Sequence, residues 1–468
     1  LNPDVLLNQV ARANNYDKDI ISAIIREMES SMAHQEHMYV HPPSPPTLES
    51  SELAWENSIL EGHATHPMHK ARFALPPLAP IQVGESLRHV KVVFVAVPRS
   101  QLQIRGNFED ELAPLVQAIG LQGASSDEVI VPVHSRQLPN IVSRFPFVRL
   151  LDGYDMAEAQ ASLRTVVPDH SPNIQLKLPL GIKVTSALRT ITPWTTYLGP
   201  GLRPILERIM KDPEACIVVH ETSSIVVRDP DVDEAKHLSC LIRESPTQLA
   251  RARGESVVVC AALTERDANG EFHVNRAWKL NSLDRRLAFL ERYVELYLRA
   301  IMPPIIEHGF AFEAHQQNTL MRYDPTTGDI KGFMVRDFGG IKAHQDTLFQ
   351  TTGMRMEAIP DGCAEAESLK EVYNLAYHSI VQMNLHRLIR ALGLHYNGMG
   401  WAIVRRHMRK IIPRQSELYR LWLESPTVDY KCFVTMKIDG LYRDYLYTSV
   451  PNLLLYVDHN QGVSVTAP

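Results

Sequence analysis

The chain of 468 residues is short of several things, and each shortage removes a class of protein. Only five cysteines occur, Cys216, Cys240, Cys260, Cys363 and Cys432, an odd number never spaced as Cys-x-x-Cys. That pattern argues against a disulfide scaffold or a zinc ribbon and leaves reduced structural thiols. Cys216 and Cys260 sit in Val- and Ile-rich runs, so burial is expected for both. No run of about 20 apolar residues is present to cross a bilayer, and the N-terminus, with its Asn, Asp and Arg residues, lacks a signal-peptide core. A cytoplasmic protein without a membrane partner is expected. Positive charge is not in excess either: the formal net charge is −5, which gives no hold on nucleic acid. A Gly-x-Gly-x-x-Gly loop near the N-terminus and a His-Arg-Asp before Asn318 are both missing, so most of a protein kinase is missing too.

What is there is a soluble globular composition, 45% hydrophobic and 22% charged, in a chain longer than one core serves. Two or three domains are expected. Residues 1–37 repeat apolar side chains at helical spacing, and the passage His41-Pro-Pro-Ser-Pro-Pro-Thr47 then forces an extended loop. Between 88 and 262 the period changes to short β-branched runs, at 90–97, 129–133, 217–219, 225–227 and 257–261, with short helices such as 109–121 between them. An α+β region on a mainly antiparallel sheet follows. Beyond 263 the pattern is helical again: Ser282 caps a helix expected to end at Pro303-Pro304, and a second runs from 365 to 392 with Gly393 after it.

Chemistry-bearing side chains gather in four places. Glu313, His315 and Asn318 precede a hairpin-like segment ending in Asp337-Phe338-Gly339. Hard carboxylate and amide oxygens suit Mg²⁺ held between phosphates, and a strand-ending Asp-Phe-Gly does this work in protein kinases. Upstream, Ser162-Leu-Arg164-Thr165 and the stretch Lys177, Lys183, Thr185, Ser186, Arg189 offer cations and hydroxyls that fit phosphate or carboxylate. A strip of His63, His66 and His69 with Lys70 and Arg72 favours oxyanions over zinc, because Pro67 interrupts a helix and no Glu lies between the histidines. Taken singly, His315 is a satisfied loop histidine, Glu313 a helix cap and Asp337 a turn former. Their occurrence together, with two cationic segments upstream, makes a site.

Glu313-Ala-His315-Gln-Gln-Asn318-Thr-Leu followed by Val335-Arg336-Asp337-Phe338-Gly339-Gly340 resembles the signature of the IucA/IucC-type siderophore synthetases. These are NRPS-independent ligases that adenylate a carboxylate, typically of citrate, and pass it to an amine. Ser162-x-Arg164-Thr165, the Lys177-to-Arg189 spacing and the His66/Lys70 strip, with Ala64 where Pro is common, are similar to further family motifs. The resemblance implies an α+β hand: a short helical thumb with its Pro-rich linker at 1–58, β-rich fingers at 59–262, and a mainly helical palm with a kinase-like metal site at 263–468.

It also implies roles. ATP would lie on Ser162, Arg164, Thr165, Lys177, His66 and Lys70, with Mg²⁺ at Glu313, Asn318 and Asp337. Citrate or a similar polycarboxylate would lie against Arg189, Thr185, His315 and His66. Lys177, Arg189 and His315 would be catalytic, His315 orienting the carboxylate and exchanging protons near neutral pH. The acceptor would be an amine, hydroxylamine or alcohol, and homodimers are common among such enzymes. Lys431 joins as a further site candidate and Asn452 as structural, while Lys183, without a family counterpart, reads as a solvated strand residue. The helical N-terminus is shorter than is usual in the family, which points to a trimmed or divergent start, and Ala64 allows a different polycarboxylate. A kinase-like phosphotransferase releasing ADP and a non-catalytic ATP-binding module are the competing readings.

Overall fold

The computed structural model describes residues 3–61, 68–184, 187–357, 362–441 and 446–457. The N-terminal helical pattern resolves into two helices, Pro3–Asn14 and Lys18–Val40. Asp17 separates them, and its carboxylate caps the second by accepting from the Asp19 and Ile20 amides at 2.8 and 3.0 Å. Their apolar faces close a small core of Leu7, Ala11, Ile21 and Ile24 with Met68 and Ala71. After the Pro-rich passage a short helix, Glu52–Asn57, carries two buried acids inward, Glu52 and Glu56.

The β-branched runs build an eight-stranded, wholly antiparallel sheet. Its order is Leu102–Arg105, Glu221–Val227, Ser239–Glu244, Ile174–Lys177, Thr165–Pro168, Arg149–Ala159, His89–Pro98 and Glu128–His134. Helix Phe108–Ala118 supplies Phe108, Leu112 and Leu115 to the core on one face. A three-stranded sheet of Phe73–Ala74, Leu180–Val184 and Ala187–Arg189 stands beside it.

A second sheet of four strands runs Cys216–Val218, Ile330–Val335, Thr319–Tyr323, Ser256–Val259, with the first pair parallel. Two of these strands precede residue 262 and two follow it, so the sheet draws on both sides of that position. Helix Leu283–His308 covers this sheet, with Tyr293 and Tyr297 edge-on to Phe333 at 4.9 and 5.3 Å between ring centres. Cys216 and Cys260 are buried in this largest core, and burial pushes both thiols up to about 12.

Three expected elements differ. The helix from Leu283 continues through Pro303 and Pro304 to His308. Its stop is Gly309, in the left-handed region at φ 59°, whose amide bonds back to the Pro304 carbonyl. Burial of Met302, Pro304 and Ile305 against the core offsets the missing prolyl N–H groups. The second long helix runs from Leu369 to Ala391, but its middle, His378–Leu385, widens into π turns. The strand expected over 257–261 ends at Val259, where Cys260–Leu263 turns helical. No helix among the described residues is long and apolar enough to cross a membrane.

Candidate functional site

Strand pairing brings the upstream motifs together. Thr165 and Lys177 are direct partners on adjacent strands, so a hydroxyl and an ammonium emerge side by side. Leu163 adopts a left-handed conformation, φ 67°, in the turn before them, and Ser162 Oγ there accepts the Thr165 amide at 3.3 Å. Arg164 donates to the Thr190 carbonyl, one residue past Arg189 at the end of its strand.

The hairpin Thr319–Tyr323 and Ile330–Val335 delivers Asp337 to the same place. Lys177 Nζ lies 2.9 Å from Asp337 Oδ1 and 3.2 Å from Glu221 Oε1, with the Lys177 and Glu221 side chains each 1% exposed. Burial alone would raise the Asp337 pKa, but the Lys177 and Arg164 charges outweigh it and hold this carboxyl well below the usual carboxylate range. Glu221 is pushed up by burial, against the pull of Lys177.

Glu313 is pushed up to about 7 by burial, with Lys431 opposing and Asp337 reinforcing the shift. Gly340 passes so close that an added Cβ would sit 2.1 Å from Glu313 Oε2. Asn318 Nδ2 donates to the Glu313 carbonyl at 3.3 Å and closes the loop. His315 Nδ1 accepts the amides of Gln317 and Asn318 at 3.2 and 3.3 Å, which leaves the neutral ring's proton on Nε2. Burial drives His315 down to about 4. Burial thus opposes charge on this ring, and the two amide bonds to Nδ1 leave the neutral imidazole with its N–H at Nε2.

A cavity of about 330 Å³ gathers Ser162, Arg164, Thr165, Lys177, Arg189, Glu313, His315, Asn318, Asp337 and Lys431 on one lining. Lys70 is not among them. It lines a neighbouring cavity of about 310 Å³ and donates to the Ile59 carbonyl at 2.9 Å. Arg189 lines both. His63, His66, Thr185 and Ser186 lie outside the described residues. Lys183 lies on the strand Leu180–Val184 with its side chain 35% exposed, and its ammonium reaches buried Glu27 at 3.4 Å. Asn452 is buried, donating to the Trp422 and Ser425 carbonyls at 3.0 and 2.8 Å.

Sequence reasoning missed the groups that hold this lining in position. Arg336 is buried and clamps Glu52 and Glu56 while donating to the Gln317 carbonyl at 2.9 Å. Arg243 donates to Gln160 at 2.8 Å and to Gln175. A signal was present: each is a lone arginine at the end of an otherwise apolar run. Among the described residues no group of three or more His, Cys, Asp or Glu side chains is arranged to hold a metal by itself. Two carboxylates and an amide, Glu313, Asp337 and Asn318, are a hard-oxygen set that fits Mg²⁺ once phosphate oxygens complete the shell.

Residues 51–265 match the IucA / IucC family, and residues 287–444 match a family described as ferric iron reductase FhuF-like transporter. The NRPS-independent siderophore synthetase rfs of Rhizopus delemar is 42% identical over 96% of this chain and 74% of that protein. The chain belongs to the NRPS-independent siderophore synthetases. Staphyloferrin A synthase of Staphylococcus aureus is 24% identical, over 86% of this chain and 73% of its own. D-ornithine–citrate ligase of the same organism is 22% identical, over 96% and 78%. The mixed α+β fold is that of the ATP-bound aerobactin synthetase IucA of Klebsiella pneumoniae, with a TM-score of 0.77 at 17% identity over 96% of this chain and 86% of that one. In this synthetase the cavity is lined from both matched regions, Ser162 to Arg189 coming from the first and Glu313 to Lys431 from the second.

Proposed function

We propose that this siderophore synthetase is an ATP-dependent ligase that adenylates a carboxylate of citrate or a related polycarboxylate and joins it to an amine, hydroxylamine or alcohol. The observation that carries the reading is the convergence of Arg164, Lys177 and Arg189 with the carboxylates Glu313 and Asp337 in one cavity. The citrate in the name of the D-ornithine–citrate ligase and the ATP in the aerobactin synthetase structure support the two substrates. The hand-like division into 1–58, 59–262 and 263–468, the kinase-like metal site, a cytoplasmic location and a homodimer belong to the same reading.

Arg164, Lys177, Ser162 and Thr165 would hold the triphosphate, and Arg189 would grip the donor carboxylate through its two-pronged guanidinium. A carboxylate oxygen bonds to the α-phosphorus as the bond to the β-phosphate oxygen breaks and pyrophosphate leaves. Negative charge grows on both phosphate groups, and Arg164 and Lys177 would offset it. Mg²⁺ on Glu313, Asp337 and Asn318 would supply further charge neutralisation there. His315, neutral and carrying its proton on Nε2, orients the acyl group and donates to the oxyanion of the second step. An incoming amine then displaces AMP, which needs no protein nucleophile.

The test is the nucleotide product formed from Mg²⁺-ATP with citrate and hydroxylamine. AMP and pyrophosphate are expected. ADP would make the protein a phosphotransferase, and bound ATP without turnover a binding module.

A further inference from the structure

Helix Lys18–Val40 turns Ile21, Ile24, Glu27 and Ser31 inward. Ile21 and Ile24 pack in the N-terminal core, and Ser31 Oγ accepts the Lys70 amide at 3.1 Å. Glu27 calls for a different account. Its side chain is 5% exposed, and a buried carboxylate is costly unless it is paired. It is paired twice, by elements far apart in the chain. Lys183 reaches Oε1 at 3.4 Å from the strand Leu180–Val184, and Lys437 donates to Oε2 from the helix Phe433–Ile438.

Helix Phe433–Ile438 is a wall of the main cavity. Phe433, Met436 and Lys437 line it, and Glu27 is not among the lining residues. A helix of six residues is too short to hold itself together in water, so its place is set by what it touches. On one side the π turns His378–Leu385 set the His378 ring against Tyr430 and Phe433, with ring centres 6.0 and 5.8 Å apart. On the other, Ile438 packs on the N-terminal core next to the Lys437–Glu27 pair. For stability alone, an apolar pair in place of these charges would serve as well. What the acid adds is a fixed register: a carboxylate bonded to Lys437 selects one placement of the helix, where an apolar contact lets it slide.

We propose that Glu27 is a positioning residue for the reaction, holding helix Phe433–Ile438 in the cavity wall through Lys437. The proposal rests on the ligase reading above and deepens it, since an acyl adenylate lasts until its acceptor arrives only while water is kept from it. With the wall displaced, water competes with the acceptor. Its oxygen bonds to the acyl carbon, and the bond from that carbon to the AMP oxygen breaks with its electron pair left on AMP. Citrate is re-formed, and both water protons pass to solvent.

The experiment compares native protein with Glu27→Gln, Lys437→Gln, the double variant and Lys183→Gln. Amide hydrogen exchange over 433–438 reports the wall independently of activity. Hydroxamate formed per pyrophosphate released, from Mg²⁺-ATP, citrate and just enough hydroxylamine to keep the native ratio near one, reports its effect on the reaction. Exchange is expected to be at least tenfold faster in Glu27→Gln and in Lys437→Gln, no faster again in the double variant, and near native in Lys183→Gln, which keeps the Lys437 pair. Pyrophosphate is expected to exceed hydroxamate at least threefold in the first three, with KM for ATP within twofold of native. Native-rate exchange in Glu27→Gln, or equal speeding in Lys183→Gln, would overturn the proposal, as would an unmoved ratio or a rise in the KM for citrate without any excess of pyrophosphate. If Glu27→Gln does not fold, Lys437→Gln decides by the same two readouts. Absence of citrate-dependent pyrophosphate in native protein would sink the ligase reading separately and leave the exchange rates to decide whether Glu27 holds the wall.

Discussion

Asp337 carries an unusual burden for one residue. It sits at φ 67°, a conformation L side chains seldom adopt, and is retained there by Lys177 Nζ at 2.9 Å and by its own contact to the Gly339 amide at 3.4 Å. Lys177 in turn balances two acids, buried Glu221 and partly exposed Asp337, so its ammonium is held in place before any phosphate arrives. Gly340 does the corresponding work for Glu313, because only a missing side chain lets the backbone pass the carboxylate. Gly340→Ala is expected to lower citrate-dependent pyrophosphate release at least tenfold while the thermal midpoint moves by only a few degrees. Unchanged turnover in a folded Gly340→Ala protein would remove Glu313 from the site. Glu313, Asp337 and Gly340 were legible because they stand in two short motifs at either end of one hairpin, and Lys177 because it opens a cationic stretch of its own. Glu221 was not: it lies in a separate strand, and nothing in its local sequence tells that its partner is Lys177, 44 positions away.

At the scale of elements, the hairpin that ends in Asp337 is tied to the N-terminal helix Glu52–Asn57 by Arg336. The Arg336 and Glu56 side chains are 4% and 0% exposed, so neither charge has water to fall back on. Removing Glu56 leaves buried Arg336 with Glu52 at 3.4 Å as its remaining carboxylate, at up to about 3–5 kcal/mol. Glu56→Ala is expected to lose that much in urea denaturation, and a change under 1 kcal/mol would show that the clamp is dispensable. Strands and helices with a clean period were readable from sequence, as the run 90–97 inside strand His89–Pro98 and the helix capped by Ser282 illustrate. The helix through Pro303-Pro304 was not, since its stop is set by tertiary burial and by Gly309 in the left-handed region rather than by the prolines. The π turns at His378–Leu385 likewise leave no mark in an apolar period read over a few turns.

At the scale of the molecule, many histidines are held neutral inside. His134, His237, His378 and His386 are each pushed down to about 4, chiefly by burial. Their unfolded value is near 6.5. With the folded value depressed, the unfolded chain binds protons first as pH falls, so stability is full above about 6.5 and drains away down to about 4. The thermal midpoint is expected to hold steady from pH 8 to 7 and to fall continuously from 6.5 to 4, with a shallower fall in His134→Gln. A midpoint flat across that lower window would contradict the burial assigned to these rings. The eight-stranded sheet, the four-stranded sheet and the loop before Asp337 converge on one cavity. Sequence alone could list what lines it, but could not separate Lys70 into the neighbouring chamber, because that separation is made by how the N-terminal helices pack.

The most direct test of the central claim follows the oxygen that the carboxylate gives up. Citrate labelled with ¹⁸O in its carboxylates, turned over with Mg²⁺-ATP and an acceptor amine, is expected to yield AMP carrying one ¹⁸O. Label in inorganic phosphate with ADP as the nucleotide product, or AMP free of label, would contradict adenylation.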